Sequence, residues 1–126
     1  TLSGNPIAMT AGLVTLRELQ AHKEIYSQID EKTKKLADAY RNILGNKVCV
    51  NQIGSLMSVF FTDKEVTDFD SAKTSDISMY AKYFCYMLEH GVNFAPSQFE
   101  AMFISAAHTD EDIDKTCELI KEFAAI

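Results

Sequence analysis

Residues 48–62 read VCVNQIGSLMSVFFT, and this stretch decides the fold class. β-branched and aromatic side chains gather at Val48 to Val50 and again at Leu56 to Thr62, the composition that suits a pleated, half-buried surface. A turn containing Gly54 lies between the two runs, so they are predicted to pair as a hairpin. Upstream, a helix is predicted from about His22 to Leu44. Ile25, Tyr26, Ile29, Leu36, Tyr40 and Ile43 recur there at three- and four-residue steps, with Glu31, Lys32, Lys34, Lys35 and Asp38 elsewhere. Gly45-Asn46 stops it, since both residues tolerate the left-handed conformation found at helix ends.

Further upstream, Asn5 is a good N-cap and Pro6 suits the first helical position, which opens another helix running to about Gln20. Ile7, Ala8, Ala11, Gly12, Val14, Thr15, Leu16 and Leu19 make that helix apolar or small on most sides. Such a helix is expected to pack against something larger than this chain. We expect residues 1–20 to be a linking helix and residues 21–126 to be the domain proper.

Downstream of the hairpin, residues 63–75 form a polar loop expected to pin itself through Val66 and Phe69. A helix is predicted from Asp76 to His90, with Ile77, Tyr80, Ala81, Phe84 and Leu88 as its buried stripe and Gly91 as its end. Val92 to Ala95 and Ala101 to Ser105 are strand candidates around a Pro96 to Glu100 turn. A last helix starts at the Thr109 cap, with Asp112 as its partner, and should bury Ile113, Cys117, Ile120 and Phe123. The order α, α, β, β, α, β, β, α implies an α+β fold. Its small antiparallel or mixed sheet of three or four strands should carry helices mainly on one face.

Composition narrows the function. The 126 residues suit one domain, and 47% hydrophobic with 24% charged residues is ordinary for a globular protein. A net charge of −6 with scattered lysines argues against nucleic acid as a partner. Lys34 and Lys35 adjoin on what reads as a solvated helix face. Cys49, Cys85 and Cys117 lack metal or disulfide spacing and read as reduced core residues, in keeping with a reducing compartment. No apolar run approaches the roughly 20 residues that span a bilayer, so no membrane partner is expected. The start at Thr1 has no signal-peptide pattern and is expected to be the start of an excised piece of a longer chain.

Two places could carry chemistry. Thr1 to Pro6 puts hydroxyls and a glycine ahead of a helix N-terminus, where unpaired amides and the dipole favour an anion such as phosphate. A capped helix with no ligand looks the same. Pro96-Ser97-Gln98-Phe99-Glu100 ends in a carboxylate flanked by Phe99 and Ala101, a setting that can raise its pKa; a solvent-facing turn is the alternative. His108 reads as structural beside the Thr109 cap, with acid–base catalysis as the alternative. His22 and His90 lie at helix ends, and Asp110 to Asp114 read as a solvated first turn. GxSxG, HExxH and GxxxxGK[ST] are absent.

The segment Thr1-Leu2-Ser3-Gly4-Asn5-Pro6-Ile7-Ala8-Met9, with Ala11-Gly12-Leu13, resembles the entry to the small domain of class III, fold-type I pyridoxal-phosphate aminotransferases. The sharper resemblance is to the glutamate-1-semialdehyde 2,1-aminomutase family. It is carried by Ala95 to Ala101 (APSQFEA) and Ala107 to Ile113 (AHTDEDI), with support from Phe60-Phe61-Thr62 and Asp70 to Asp76. The resemblance implies a C-terminal small domain of a homodimeric enzyme making 5-aminolevulinate from glutamate-1-semialdehyde, for tetrapyrrole synthesis in the cytoplasm or a plastid. Pyridoxal 5'-phosphate and pyridoxamine 5'-phosphate would act as cofactor, supplying the electron sink while the protein orients groups and moves protons. It implies further that Thr1 helps bind the cofactor phosphate of the neighbouring subunit. Glu100 would face the substrate pocket on a turn shaped by Ser97 and Gln98. The family's Schiff-base lysine precedes this segment, so the chain alone is expected to be inactive and to lack a specific cofactor site. Another class III aminotransferase is the nearest rival; many use an arginine from this domain to hold a substrate carboxylate, whereas Arg17 and Arg41 both lie on helices far from the turn. A stand-alone ligand-binding or regulatory module is the rival from another class.

Overall fold

The computed structural model describes residues 3–126. Helix α1 (Pro6–Ala21) is followed by α2 (Glu24–Leu44), a short 3-10 turn, strands β1 (Cys49–Ile53) and β2 (Leu56–Phe60), the one-turn helix α3 (Phe69–Ala72), α4 (Ile77–Glu89), β3 (Met102–Phe103) and α5 (Asp110–Ala124). The three strands form one antiparallel sheet in the order β1-β2-β3. The fold is α+β, with a sheet at the lower end of the expected size. The hairpin turn is two residues long, joining Ile53 to Leu56. Gly54 adopts φ +53° at its first position, which a side-chain-bearing residue would occupy only with strain.

Alternation along the strands divides the sheet into two unlike faces. Val50, Met57, Val59, Phe61 and Met102 turn toward α2, α4 and α5, where Leu36, Tyr40, Tyr83, Met87, Ile113 and Ile120 complete the main core. The opposite face has a small cluster of Phe60, Val66 and Ala72 with Cys49 against it. The rest of that face is open, with Ile53 77% and Phe103 69% exposed.

Several expectations fail. The Ala101 to Ser105 strand candidate is reduced to Met102–Phe103, and α5 buries Thr116 and Leu119 beside Ile113 and Ile120, with Cys117 and Phe123 only half-buried. Val92 to Ala95 is not a strand: Phe94 stacks on Tyr83, and the Tyr80 hydroxyl donates to the Ala95 carbonyl at 2.7 Å. These contacts direct the segment onto α4 instead of the sheet. The buried stripe of α4 is Tyr80, Tyr83 and Met87, while Ile77, Ala81 and Leu88 are exposed. That phase puts Cys85 on the exposed side, so it is not a core residue; Cys49 and Cys117 are half-buried, and all three are free thiols. Val66 anchors the 63–75 loop, but Phe69 is exposed, because the Asp68–Ser71 capping box starts α3 there and turns the ring outward against Phe99.

Helix α1 buries no residue at all. Ile7, Met9, Leu13, Val14 and Leu16 are exposed along it. No described helix is long and apolar enough to cross a membrane.

Candidate functional site

The Pro96–Glu100 turn is held at three points. Ser97 O accepts from Glu100 N at 3.1 Å and Ser97 Oγ from Phe99 N at 3.2 Å, closing the turn on itself. Its leading residue Ala95 is tied to α4 by the Tyr80 hydroxyl. Gln98 is 3% exposed, and its Oε1 accepts from the Phe61 amide at 3.4 Å. Glu100, by contrast, is exposed. Burial pushes the Tyr80 phenol up to about 12, and the negative charge of Glu100 adds to that shift. Tyr80 is therefore a neutral donor at ordinary pH, reserved for the Ala95 carbonyl.

The turn overlooks the open face of the sheet. Phe99 meets Phe69 with ring centroids 5.9 Å apart, and the Lys73 ammonium lies 5.2 Å from the centre of the Phe69 ring. A cleft of about 290 Å³ runs beneath them, walled by Asn51, Phe60, Val66, Asp68, Phe69 and Phe99. Asn51 Nδ2 donates to Val66 O at 2.8 Å and fixes the loop that forms one wall. Ser97, Gln98 and Glu100 thus share one tip, with Gln98 rooted and Glu100 presented. Sequence reading missed Tyr80, Phe61 and Phe69 as supports of this tip. The signal available for Tyr80 was a tyrosine in an apolar stripe, whose buried hydroxyl must find an acceptor.

The other candidate, Thr1, lies outside the described residues. At the α1 N-terminus that follows it, Asn5 Oδ1 accepts from Ile7 N at 3.0 Å and from Ala8 N at 3.2 Å. Pro6 has no amide hydrogen, and Met9 N donates to Asn5 O. The cap thus takes the Ile7 and Ala8 amides that this helix N-terminus would otherwise offer an anion.

His108 is far from this chemistry in its bonding. Its Nδ1 accepts from Ser105 N at 3.0 Å and pairs with Ser105 Oγ at 3.1 Å, while its carbonyl accepts from Lys32 Nζ at 2.7 Å. The ring proton of the neutral form therefore sits on Nε2. It borders a second cleft, about 580 Å³, between residues 91–95, 101–104 and α5. In the acidic run, Asp112 caps Thr109 and hydrogen bonds from that cap hold its carboxyl below the usual range; Asp110 and Asp114 pair with Lys32 and Lys35. Among the described residues no group of His, Cys, Asp and Glu could hold a metal ion.

The chain is 49% identical over 125 residues to a glutamate-1-semialdehyde 2,1-aminomutase of Acetivibrio thermocellus, an alignment covering 99% of this chain. It is 53% identical over 119 residues to the aminomutase of Persephonella marina, covering 92% of this chain. The chain belongs to the glutamate-1-semialdehyde 2,1-aminomutase family. It spans 29% and 28% of the length of those two aminomutases. A solved aminomutase from Pseudomonas aeruginosa has the same fold over 81% of the chain, with TM-score 0.71 at 17% identity, and 23% of that structure is covered. A β-phenylalanine aminotransferase from Variovorax paradoxus matches the fold over 81% of the chain and 23% of its own, with TM-score 0.67 at 22% identity. No protein-family model matches the chain.

Proposed function

We propose that this chain is the C-terminal small domain of a longer glutamate-1-semialdehyde 2,1-aminomutase, which converts glutamate-1-semialdehyde to 5-aminolevulinate for tetrapyrrole synthesis. The observation that carries the reading is identity near one half over almost the whole chain, set against less than a third of the relatives' length. Residues 1–20 link to a large domain and residues 21–126 form the small one. The large domain holds the Schiff-base lysine, so these 126 residues by themselves do not turn over substrate. The enzyme is a cytoplasmic homodimer, and its cofactor, pyridoxal 5'-phosphate or pyridoxamine 5'-phosphate, is held outside this domain with Thr1 reaching across the dimer interface. A solved relative from Pseudomonas aeruginosa is in complex with the pyridoxamine form.

Within that enzyme this domain supplies one wall of the substrate pocket. The open sheet face, with Ile53, Phe69, Phe99 and Phe103 exposed, is apolar enough to be covered by the large domain, as is α1. Closure over that face brings the Glu100 carboxylate to the substrate and excludes water around it, which strengthens its interactions. Ser97 and Gln98 hold the turn that carries it, and Tyr80 holds the segment leading in.

The test is to incubate the longer enzyme with glutamate-1-semialdehyde and pyridoxamine 5'-phosphate, with no other amino donor or acceptor, using the 126-residue chain as control. Formation of 5-aminolevulinate by the longer enzyme alone is the expected result. A requirement for an external keto acid or amine overturns the reading in favour of an ordinary aminotransferase. Turnover by the 126 residues overturns the proposed division between domains.

A further inference from the structure

Odd-numbered residues of β2 direct their main-chain groups toward β3. Ile104 N donates to Ser55 O at 3.0 Å, and Met57 lies opposite Met102. Carried along the same antiparallel register, residue 98 falls opposite Phe61. The main chain does not follow that course: past Met102 it has left the ladder, and at 97–100 it is closed on itself as a turn. Phe61 is 6% exposed, and its carbonyl is already bonded by Asp76 N at 2.8 Å. Its amide would therefore be a buried donor with no strand to bond. The Gln98 side chain reaches back to it instead.

We propose that Gln98 is a positioning residue, whose side-chain carbonyl replaces a main-chain ladder bond at Phe61 and thereby fixes the direction in which Glu100 is presented. The proposal rests on the reading that Glu100 faces the substrate. Two observations support it. A donor at Phe61 requires the amide oxygen there, so the orientation of the Gln98 amide is set; its buried Nε2 has no hydrogen-bond partner among the described residues. The Phe61 contact is thus the polar bond that roots the side chain. Burial is also uneven along the tip, with Gln98 3% and Phe99 43% exposed and Glu100 exposed beside it, as a buried anchor under a projecting turn requires.

The test uses the longer enzyme and a double-mutant cycle between Gln98 and Glu100. Gln98→Leu removes the acceptor and keeps an apolar side chain; Gln98→Asn keeps the amide but is one methylene too short, and serves if the Leu variant does not fold. The expected result has three parts. The Phe61 amide exchanges its hydrogen roughly tenfold faster or more. In the same variant kcat falls roughly tenfold with little change in KM, the cost of a displaced group at the reacting centre. In a Glu100→Gln background, Gln98→Leu adds no further loss of kcat, because the two act through one group. Unchanged Phe61 exchange overturns the tie, and an equal further loss in the Glu100→Gln background overturns the route through Glu100. Full activity of Glu100→Gln itself overturns the reading of Glu100 beneath the proposal, while Phe61 exchange still decides whether the tie exists.

Discussion

Helices α1 and α5 are nearly the same length, 16 and 15 residues, and both carry a side-chain N-cap, Asn5 in one and Thr109 in the other. Yet α5 buries Ile113, Thr116, Leu119 and Ile120, while α1 buries nothing. The cause lies in where the charges fall. Helix α5 has Asp110, Asp114, Glu118 and Lys121 on its outer side, so burial has one direction available. Helix α1 has only Arg17 and Glu18 among sixteen residues and is apolar all round, a pattern that belongs inside a larger body. Caps and propensity suffice to form a helix; a place for it comes from one-sided patterning or from a partner.

This contrast can be broken at the core first. Ile120→Ala should destabilise the chain by about 2–5 kcal/mol in urea unfolding, since it empties a fully buried site. Leu16→Ala, at 67% exposure, should stay within about 0.5 kcal/mol. Comparable losses would mean that α1 is docked in solution. In the longer enzyme Leu16→Ala should become costly, because α1 is covered there.

The tyrosines sit on the α5 side of the contrast. Tyr40 and Tyr83 share a buried hydroxyl–hydroxyl hydrogen bond. Tyr40→Phe should cost about 1–3 kcal/mol by stranding the Tyr83 hydroxyl, whereas Tyr40→Phe with Tyr83→Phe together should cost less than the single change. A larger loss in the double variant would show that packing, not satisfaction, governs the pair.

Alkali should act on the same cluster. Burial raises the phenols of Tyr40, Tyr80 and Tyr83, Tyr80 to about 12. Groups with raised folded values contribute stability below their unfolded pKa and lose it as pH rises. Between about pH 10 and 12 the unfolded phenols ionise ahead of the folded ones, so stability should fall as pH rises, by at most about 1.4 kcal/mol per pH unit for each such tyrosine. A flat unfolding free energy over that range would show that the cluster is wet.

The caps give the smallest effect. Thr109→Ala should cost about 1 kcal/mol of global stability, because α5 is part of the core. Asn5→Ala should lower helical circular dichroism with no shift in the urea midpoint. Equal midpoint shifts would again place α1 in the folded unit.

The hairpin, the α5 cap and the limits of α1 and α2 were legible because each rests on neighbouring residues: Gly54 for a positive φ, Thr109 and Asp112 for a cap, Asn5-Pro6 for a helix start. The phase of α4 was not. Apolar side chains lie on several sides of it, at Ile77, Met79, Tyr80, Tyr83, Phe84, Met87 and Leu88, so a 3.6-residue period fits more than one stripe. Packing against Phe61, Phe94 and Phe123 selected Tyr80 and Tyr83. The same aromatic cluster removed Val92 to Ala95 from the sheet.

At the tip, sequence motifs singled out Ser97, Gln98 and Glu100, but their division of labour came from three dimensions. Nothing local distinguishes a buried Gln98 from an exposed Glu100 two residues on; a β2 edge left open at Phe61 does. Neighbouring residues were enough for the α+β class and for the elements whose ends are set by caps and glycines, because those depend on contacts a few residues apart. Which face of α4 is buried, which strand candidate pairs and which side chain is buried under the turn were set by long-range packing. Those outcomes depend on competition between distant residues for the same buried donors, acceptors and rings.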